Sequence, residues 1–196
     1  MSNIVDKSLF TGEYLIPNTV TGSAIESALL AAIAIYEKEI LIKLLDRPLY
    51  DLFIAGLAAG SPAAKWTDLR DGKDMTFTVN GYMVTVHFEG VKKLIVPYVY
   101  YYYRRNEATM TGGMFDVSAK AENGTAISPY LKMVNAWNRL IELYGDLPDW
   151  WITPDEINSY EHYDDLPTAY NFLLVNKADY TGWKYTPLQH INEFGI

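Results

Sequence analysis

Ser23-Ala24-Ile25-Glu26-Ser27-Ala28-Leu29-Leu30-Ala31-Ala32-Ile33-Ala34-Ile35-Tyr36-Glu37-Lys38-Glu39-Ile40-Leu41-Ile42-Lys43-Leu44-Leu45 is the stretch that decides the fold class. It opens with Ser23 and Glu26 at the spacing of a capping box, in which the two side chains satisfy backbone N–H groups left unpaired by the first helical turn. Ile25, Leu29, Ile33, Tyr36, Ile40 and Leu44 then recur every three or four residues, which makes one apolar stripe of a helix. Ala31, Ala32 and Ala34 permit close helix packing, and Glu37, Lys38, Glu39 and Lys43 are expected mostly to face away from the stripe. Asp46-Arg47-Pro48 ends this helix and starts a second, with Asp46 as cap and Pro48 in the first turn. The second helix carries Leu49, Tyr50, Leu52, Phe53 and Leu57 and stops at Gly60-Ser61-Pro62.

Downstream, Asn80-Gly81 is the pair preferred in a type I′ turn, and alternating residues flank it. A two-residue loop pairs Val79 with Tyr82, Phe77 with Val84 and Met75 with Val86, so a hairpin over about 75–88 has one apolar face to lay on the helices. A lone hairpin is marginal in water and needs that support. Residues 89–110 read as a third helix with Val91, Leu94, Ile95, Tyr98, Tyr101 and Tyr102 on its stripe, kinked or split at Pro97. Tyr98 to Tyr103, followed by Arg104-Arg105, is the oddest local composition: consecutive tyrosines point all round a helix, so some must meet other elements or another chain. Residues 106–127, rich in Gly, Thr, Ala and Asn, read as a loop. Ser128-Pro129 opens a fourth helix, on which Tyr130, Met133, Val134, Trp137, Leu140, Ile141 and Tyr144 form the most regular amphipathic pattern in the chain, and Gly145 is its stop.

The ends differ from this body. Residues 1–22 are irregular, and Phe10 to Asn18 looks like an extended segment lying on the body or on a neighbouring subunit. From residue 146 the chain is broken by Pro148, Pro154, Pro167 and Pro187 and carries ten of the 28 aromatic residues. It also holds nine acidic and two basic residues, a net of −7 out of −8 for the whole chain. A disordered tail is poor in aromatics, so this stretch reads as an extended arm that needs a surface to lie on; Pro167 to Leu174 fits a short strand or a helical turn. The fold class expected is therefore mainly α: a bundle of about four helices with one β-hairpin and an extended C-terminal arm. Residues 1–145 form the helical body with the N-terminal segment and the hairpin, and 146–196 form the acidic, aromatic arm.

Composition narrows the function. The chain has 196 residues, about half of them hydrophobic, which suits one domain with a real core. It contains no long uncharged apolar run of the length a membrane span needs, and Met1 to Asp6 lacks the features of a signal peptide, so a cytosolic protein is expected. Without cysteine there is no disulfide framework and no thiol chemistry. The acidic balance offers no broad attraction for nucleic acid. His87, His162 and His190 are isolated and lack metal-ligand spacing. Asp68 to Asp74 lacks the alternation and closing Glu of an EF-hand loop, and neither a phosphate-binding glycine loop nor a G-x-S-x-G elbow is present. Asp155-Glu156 and Asp164-Asp165 offer paired carboxylates, but such pairs are commoner on a solvated arm than in an active site. No catalytic residue, cofactor or metal site is therefore expected. Docking against other protein chains is expected instead. The interface candidates are Tyr14 on the N-terminal segment, Tyr100, Tyr103, Arg104 and Arg105 at the tyrosine run, and Trp150, Trp151, Tyr163, Trp183 and Phe194 on the arm. For Arg104 and Arg105, a salt bridge to the acidic arm or to another subunit fits better than a nucleic-acid contact.

Several segments carry a resemblance: Tyr36 to Leu45 running into Leu49-Tyr50, Lys65-Trp66-Thr67-Asp68-Leu69, Gly72-Lys73, Pro97 to Tyr102, Arg105 to Thr109, Lys132 to Asn138, and the ending Ile191 to Ile196. Together they resemble small proteins of tailed phages and of prophages of Bacteroides-like bacteria, including crAss-like phages, over roughly residues 8–145 and the last few; residues 146–190 fit least. The resemblance implies a head–tail connector or adaptor protein of the phage neck. In that role the chain assembles in the host cytoplasm into a virion ring, commonly of twelve subunits, below the portal. Its partners are copies of itself, the portal and other neck or tail proteins; DNA passes through without specific binding, and no membrane is involved. A tail-completion or minor capsid protein is the second reading, and a small enzyme with a convergent site the third.

Overall fold

In the computed structural model the chain is described at residues 4–79, 82–107, 110–111, 116–117, 130–145 and 168–188. Helix α1 spans Ala24–Leu45, as its periodicity predicts. Ser23 caps it, its hydroxyl accepting from Glu26 N at 3.0 Å. The reciprocal half of the expected capping box is shifted by one residue: the Glu26 carboxylate accepts from Gly22 N at 2.6 Å, while Ser23 N bonds Val20 O. Glu26 also pairs with Lys7, and that pairing, with the Gly22 bond, holds its carboxyl below the ordinary glutamate value. The cap of α1 is thus also the fastening of the N-terminal segment.

Asp46 serves two helices. Its N–H closes α1 on Ile42 O, and its carboxylate accepts from Arg47 N at 2.7 Å to open α2 (Arg47–Ala58). A helix that sequence periodicity did not indicate, α3 (Ala64–Asp71), follows; it is short, and only Trp66 and Leu69 are buried along it. Strands β1 (Lys73–Val79) and β2 (Tyr82–Phe88) form the antiparallel hairpin in the expected register, Val79 opposite Tyr82 and Met75 opposite Val86. Met75 is buried and Val86 packs against the core; the Asn80-Gly81 turn lies outside the described residues. The two ends of the hairpin meet backbone to backbone. Gly72 and Gly90 both have positive φ (98° and 79°), and a Cβ on Gly90 would stand 2.5 Å from both Arg70 O and Gly72 N.

Helix α4 (Val91–Glu107) contains Pro97 and runs on through it as one helix, so of the expected kink or split the split does not occur. It packs on α1 on one side and on α5 (Tyr130–Tyr144) on the other. Gly145 closes α5 with φ 104° and its N–H on Ile141 O, so the predicted stop holds. Within residues 106–127, Asn106 and Glu107 end α4, and the other described pieces are β3 (Met110–Thr111) and β4 (Asp116–Val117), which pair antiparallel. The stretch from Pro167 resolves into a helical turn, α6 (Ala169–Val175), capped by Thr168, whose hydroxyl accepts from Asn171 N. The fold is thus mainly helical with one principal hairpin.

The N-terminal segment lies on this chain's own body. Val5, Phe10 and Ile16 are buried in the main core, and two single-turn 3₁₀ helices, Lys7–Leu9 and Gly12–Tyr14, shape the path between them. Ile4 N and Val5 N both donate to the Glu37 carboxylate at 2.9 Å. Glu37 is therefore buried, with 7 % of its surface exposed, where periodicity placed it away from the packed stripe. Among the described residues no cation pairs with it. Burial outweighs the two N–H donors and raises its carboxyl above the ordinary glutamate value, and Tyr50 senses its charge.

Two outcomes follow from these contacts. Gly90→Ala forces a side chain into a positive-φ backbone and against the Arg70 carbonyl, so chemical denaturation is expected to show a loss of about 1–3 kcal/mol; an unchanged midpoint would contradict the junction geometry. Glu37 has a folded-state pKa above its unfolded one, so its contribution to stability is fully present below the unfolded value and is lost as pH rises through the folded one. The stability difference between the native chain and Glu37→Gln should therefore shift against the native chain as pH rises from just below the ordinary glutamate range toward neutrality. A pH-independent difference would show that Glu37 is not buried as described.

Candidate interaction surfaces

The tyrosine run is absorbed by the chain itself. Tyr98 is fully buried; its hydroxyl donates to Glu39 Oε1 at 2.8 Å and accepts from Lys43 Nζ at 2.9 Å. Burial pushes its phenol far above the ordinary tyrosine value. At Glu39 burial pushes upward, but Lys43 and Tyr98 outweigh it and hold the carboxyl below its ordinary value. Around this triad Tyr36 of α1 stacks on Tyr102 of α4 at 4.6 Å, and Trp137 of α5 lies 4.9 Å from Tyr101 and 6.0 Å from Tyr98. Rings that leave α4 in different directions thus meet α1 and α5, while Tyr100 meets Tyr14 of the N-terminal segment edge to face at 5.5 Å. Such aromatic pairs add about 0.5–1.5 kcal/mol each beyond burial.

The interface candidates consequently fall into three groups. Tyr100 (2 % exposed), Tyr103 (5 %) and Trp183 (8 %) are buried within the chain's own fold. Tyr14 is half-buried, its Oη has no hydrogen-bond partner, and burial, with the neighbouring Glu13, raises its phenol above the ordinary value. Arg104 is half-buried and Arg105 is exposed, the latter lying over the Tyr102 ring at 4.6 Å. Trp150, Trp151, Tyr163 and Phe194 lie outside the described residues, as do His162 and His190. His87 is on β2, its Nδ1 2.7 Å from Asp74 Oδ1.

The described part of the last quarter finds its surface on its own body. Trp183 Nε1 donates to Leu44 O at 2.8 Å and Tyr180 Oη donates to Lys65 O at 2.6 Å. Tyr185 Oη donates to Gly145 O, and Tyr144 Oη lies 2.7 Å from Thr186 O and 3.1 Å from Lys43 O. Phe172 stacks on Phe88 at 4.4 Å. Aromatic rings with one polar atom each are suited to this: the ring fills the core and the polar atom satisfies a main-chain carbonyl at a helix end.

Two further features were not singled out by sequence reasoning. The first is a cavity of about 470 Å³ between the N-terminal segment and the start of α4, lined by Ser8, Thr11, Glu13, Tyr14, Lys92 and Val96 among others. Its lysines are neutralised at its own wall, Lys92 by Asp71 and Lys93 by Glu89 at 3.9 Å, so it presents little net charge to a ligand. The second is the outer face of α1. One side of this helix is buried under α4 and the N-terminal segment, yet Ser27, Ala28, Leu30, Ala31, Ala34 and Ile35 are exposed, and no charged residue interrupts that face before Lys38. Leu30 is 41 % and Ile35 60 % exposed. A helix that is apolar all round belongs in an interior, not at a surface. The signal was legible in Ala28 to Ile35, where no polar residue falls on any face. No helix of the described residues is long and apolar enough to cross a membrane.

Trp183→Ala should destabilise the whole domain by about 3–5 kcal/mol, because it empties a core site and leaves Leu44 O unpaired. Trp183→Phe should cost less, and an unchanged unfolding midpoint for the alanine variant would show that residues 168–188 do not belong to the core. No family model, curated protein or solved structure matches the chain.

Proposed function

We propose that this chain is a structural virion protein, a head–tail connector or adaptor that assembles into a ring in the phage neck below the portal. The observation that carries the assembly reading is the outer face of α1. Seven consecutive residues, Ala28 to Ala34, are all apolar, and the exposed side of that stretch continues into Ile35. Covering Leu30 and Ile35 with another chain contributes up to about 1.5–3 kcal/mol for each side chain that becomes fully buried. Charge is depleted there as it is at the centre of a protein interface.

The resemblance to neck proteins of Bacteroides-like phages gives the assembly its place. A ring is built from heterologous contacts, one patch of each copy meeting a different patch of the next. The α1 face supplies one such patch. The aromatic residues of the described fold supply rigidity to each copy, since Tyr98, Tyr100, Tyr103, Tyr180 and Trp183 are spent inside it. A net charge of −8 suits a channel through which DNA slides without adhering.

Mass photometry and negative-stain imaging of the purified chain, alone and with the portal, test the proposal. Closed rings are expected. Leu30→Glu/Ile35→Glu, both at exposed sites, is expected to leave the helical signal in circular dichroism intact and to lower ring formation at least tenfold. A chain that stays monomeric in both settings contradicts the proposal.

A further inference from the structure

We infer that the β1–β2 hairpin is a second interface between copies of this chain: the outer edge of β2 in one copy pairs, antiparallel, with the outer edge of β1 in the next. The inference rests on the ring reading and adds to it a contact made of two unlike patches.

The hairpin is rooted in the body and bare along its sides. Met75 and Phe88 are buried at its base, where Gly72 and Gly90 bring its two ends together. Each strand's main packing partner is the other strand, and among the described residues neither outer edge pairs with a further strand. Every second residue of an antiparallel strand turns its N–H and C=O away from its partner, so each edge presents about three such residues outward.

Bare edges are ordinarily guarded against pairing by charged side chains, by proline or by a bulge. This hairpin has none of the three. From Met75 to Val86 there is no Lys, Arg, Asp, Glu or Pro. The register runs one to one from Lys73 opposite Phe88 to Val79 opposite Tyr82, so no bulge bends either strand. Thr, Val, Phe and Tyr, which suit a pleated strand, fill most of it. An edge of this composition is suited to taking up a strand from another chain.

The occupant follows from what β2 already accepts. On the exposed face of the hairpin, Thr85 Oγ1 lies 3.1 Å from Thr76 Oγ1, and His87 Nδ1 lies 2.7 Å from Asp74 Oδ1. Such cross-strand pairs are what hold a sheet together. The His87–Asp74 contact uses one ring nitrogen and one carboxylate oxygen, which leaves Nε2 and Oδ2 for a neighbour. A strand with the sequence of β1, arriving antiparallel at the outer edge of β2, matches Thr85 with Thr76 and His87 with Asp74 a second time. The chain has one β1, and it is spent on the inner edge of β2. The other described strands, β3 and β4, are two residues long and pair with each other. The matching strand therefore comes from another copy. Because the two edges differ, β2 of one copy meeting β1 of the next is a head-to-tail contact, the kind from which rings close.

The chain has no cysteine, so single-cysteine variants form disulfides only between chains. Thr76→Cys and Thr85→Cys, both at exposed sites, are mixed in equal amounts, alone and with the portal, and oxidised. Directly opposed strand residues stand within the Cα separation that a disulfide needs. Disulfides joining the two variants, read on a non-reducing gel and by mass spectrometry, are expected at least tenfold above those joining Thr76→Cys to Ala55→Cys, an exposed site on α2. Met83→Lys, added to both variants at a site 78 % exposed on β2, guards the edge and is expected to lower that yield at least fivefold with unchanged circular dichroism. A mixture at the control level, in a sample whose rings form normally, overturns the inference and leaves the ring reading standing; a chain that stays monomeric in both settings overturns both. Equal yields from either variant alone show edges joining like to like and overturn the head-to-tail pairing. A yield that Met83→Lys leaves unchanged overturns it too.

Discussion

One helix whose first half, Ala28 to Ile35, is apolar on every side sets the terms for the rest of this structure. Helix α1 carries Leu29, Ile33, Ile40, Leu41, Leu44 and Leu45 at or near complete burial. No single neighbour can cover such a surface. Helix α4 covers one flank, α2 packs at its C-terminal end, and Trp183 closes its last turn by bonding Leu44 O. The N-terminal segment covers another flank and is fastened by the two acidic residues within α1's buried surface, Glu26 and Glu37. Both carboxylates accept main-chain N–H groups. An extended segment has no helical ladder to satisfy its own N–H groups, so side chains must do so. The tertiary roles of the two chain ends therefore derive from the burial demand of one helix.

The parts of this fold legible from sequence are those set by local periodicity. The stripe from Ile25 to Leu44, the Asp46-Arg47-Pro48 break, the Asn80-Gly81 register and the stripe from Tyr130 to Tyr144 each depend on neighbours a few residues away. The parts that were not legible depend on distant contacts. Helix α3 has only Trp66 and Leu69 to mark it, and its environment comes from Phe53 and Tyr180. Glu37 reads as a surface residue in any helical projection, because its partners, Ile4 N and Val5 N, are main-chain groups about thirty residues away. Pro97 reads as a break, yet the helix continues through it inside a packed layer with Val96 and Tyr98 buried on either side.

The same distinction governs the candidate surface. Aromatic content marks residues with much area to bury, without saying against what. Tyr100, Tyr103 and Trp183 were candidates for contacts between chains and instead fill this chain's own core, because α1, α5 and the N-terminal segment surround α4 on most sides. Of the three alanines that permit close helix packing, Ala31 and Ala34 are exposed and Ala32 is buried. What a composition reading does find is the mismatch on α1, whose stretch Ala28 to Ile35 is apolar all round and whose outer face there has no cover within the described fold. Among the described residues, Arg47, Arg70 and Arg139 have carboxylate partners, and Arg104 and Arg105 have none.

The central claim is that the outer face of α1 is covered when the protein assembles. The chain has no cysteine, so Ala31→Cys places a single thiol at the middle of that face. Its rate of reaction with a maleimide, measured in the assembled particle and in the Leu30→Glu/Ile35→Glu background, reads the cover directly. The account predicts a thiol protected at least tenfold in the assembly and fully reactive in the charged background; equal reactivity in both would contradict it.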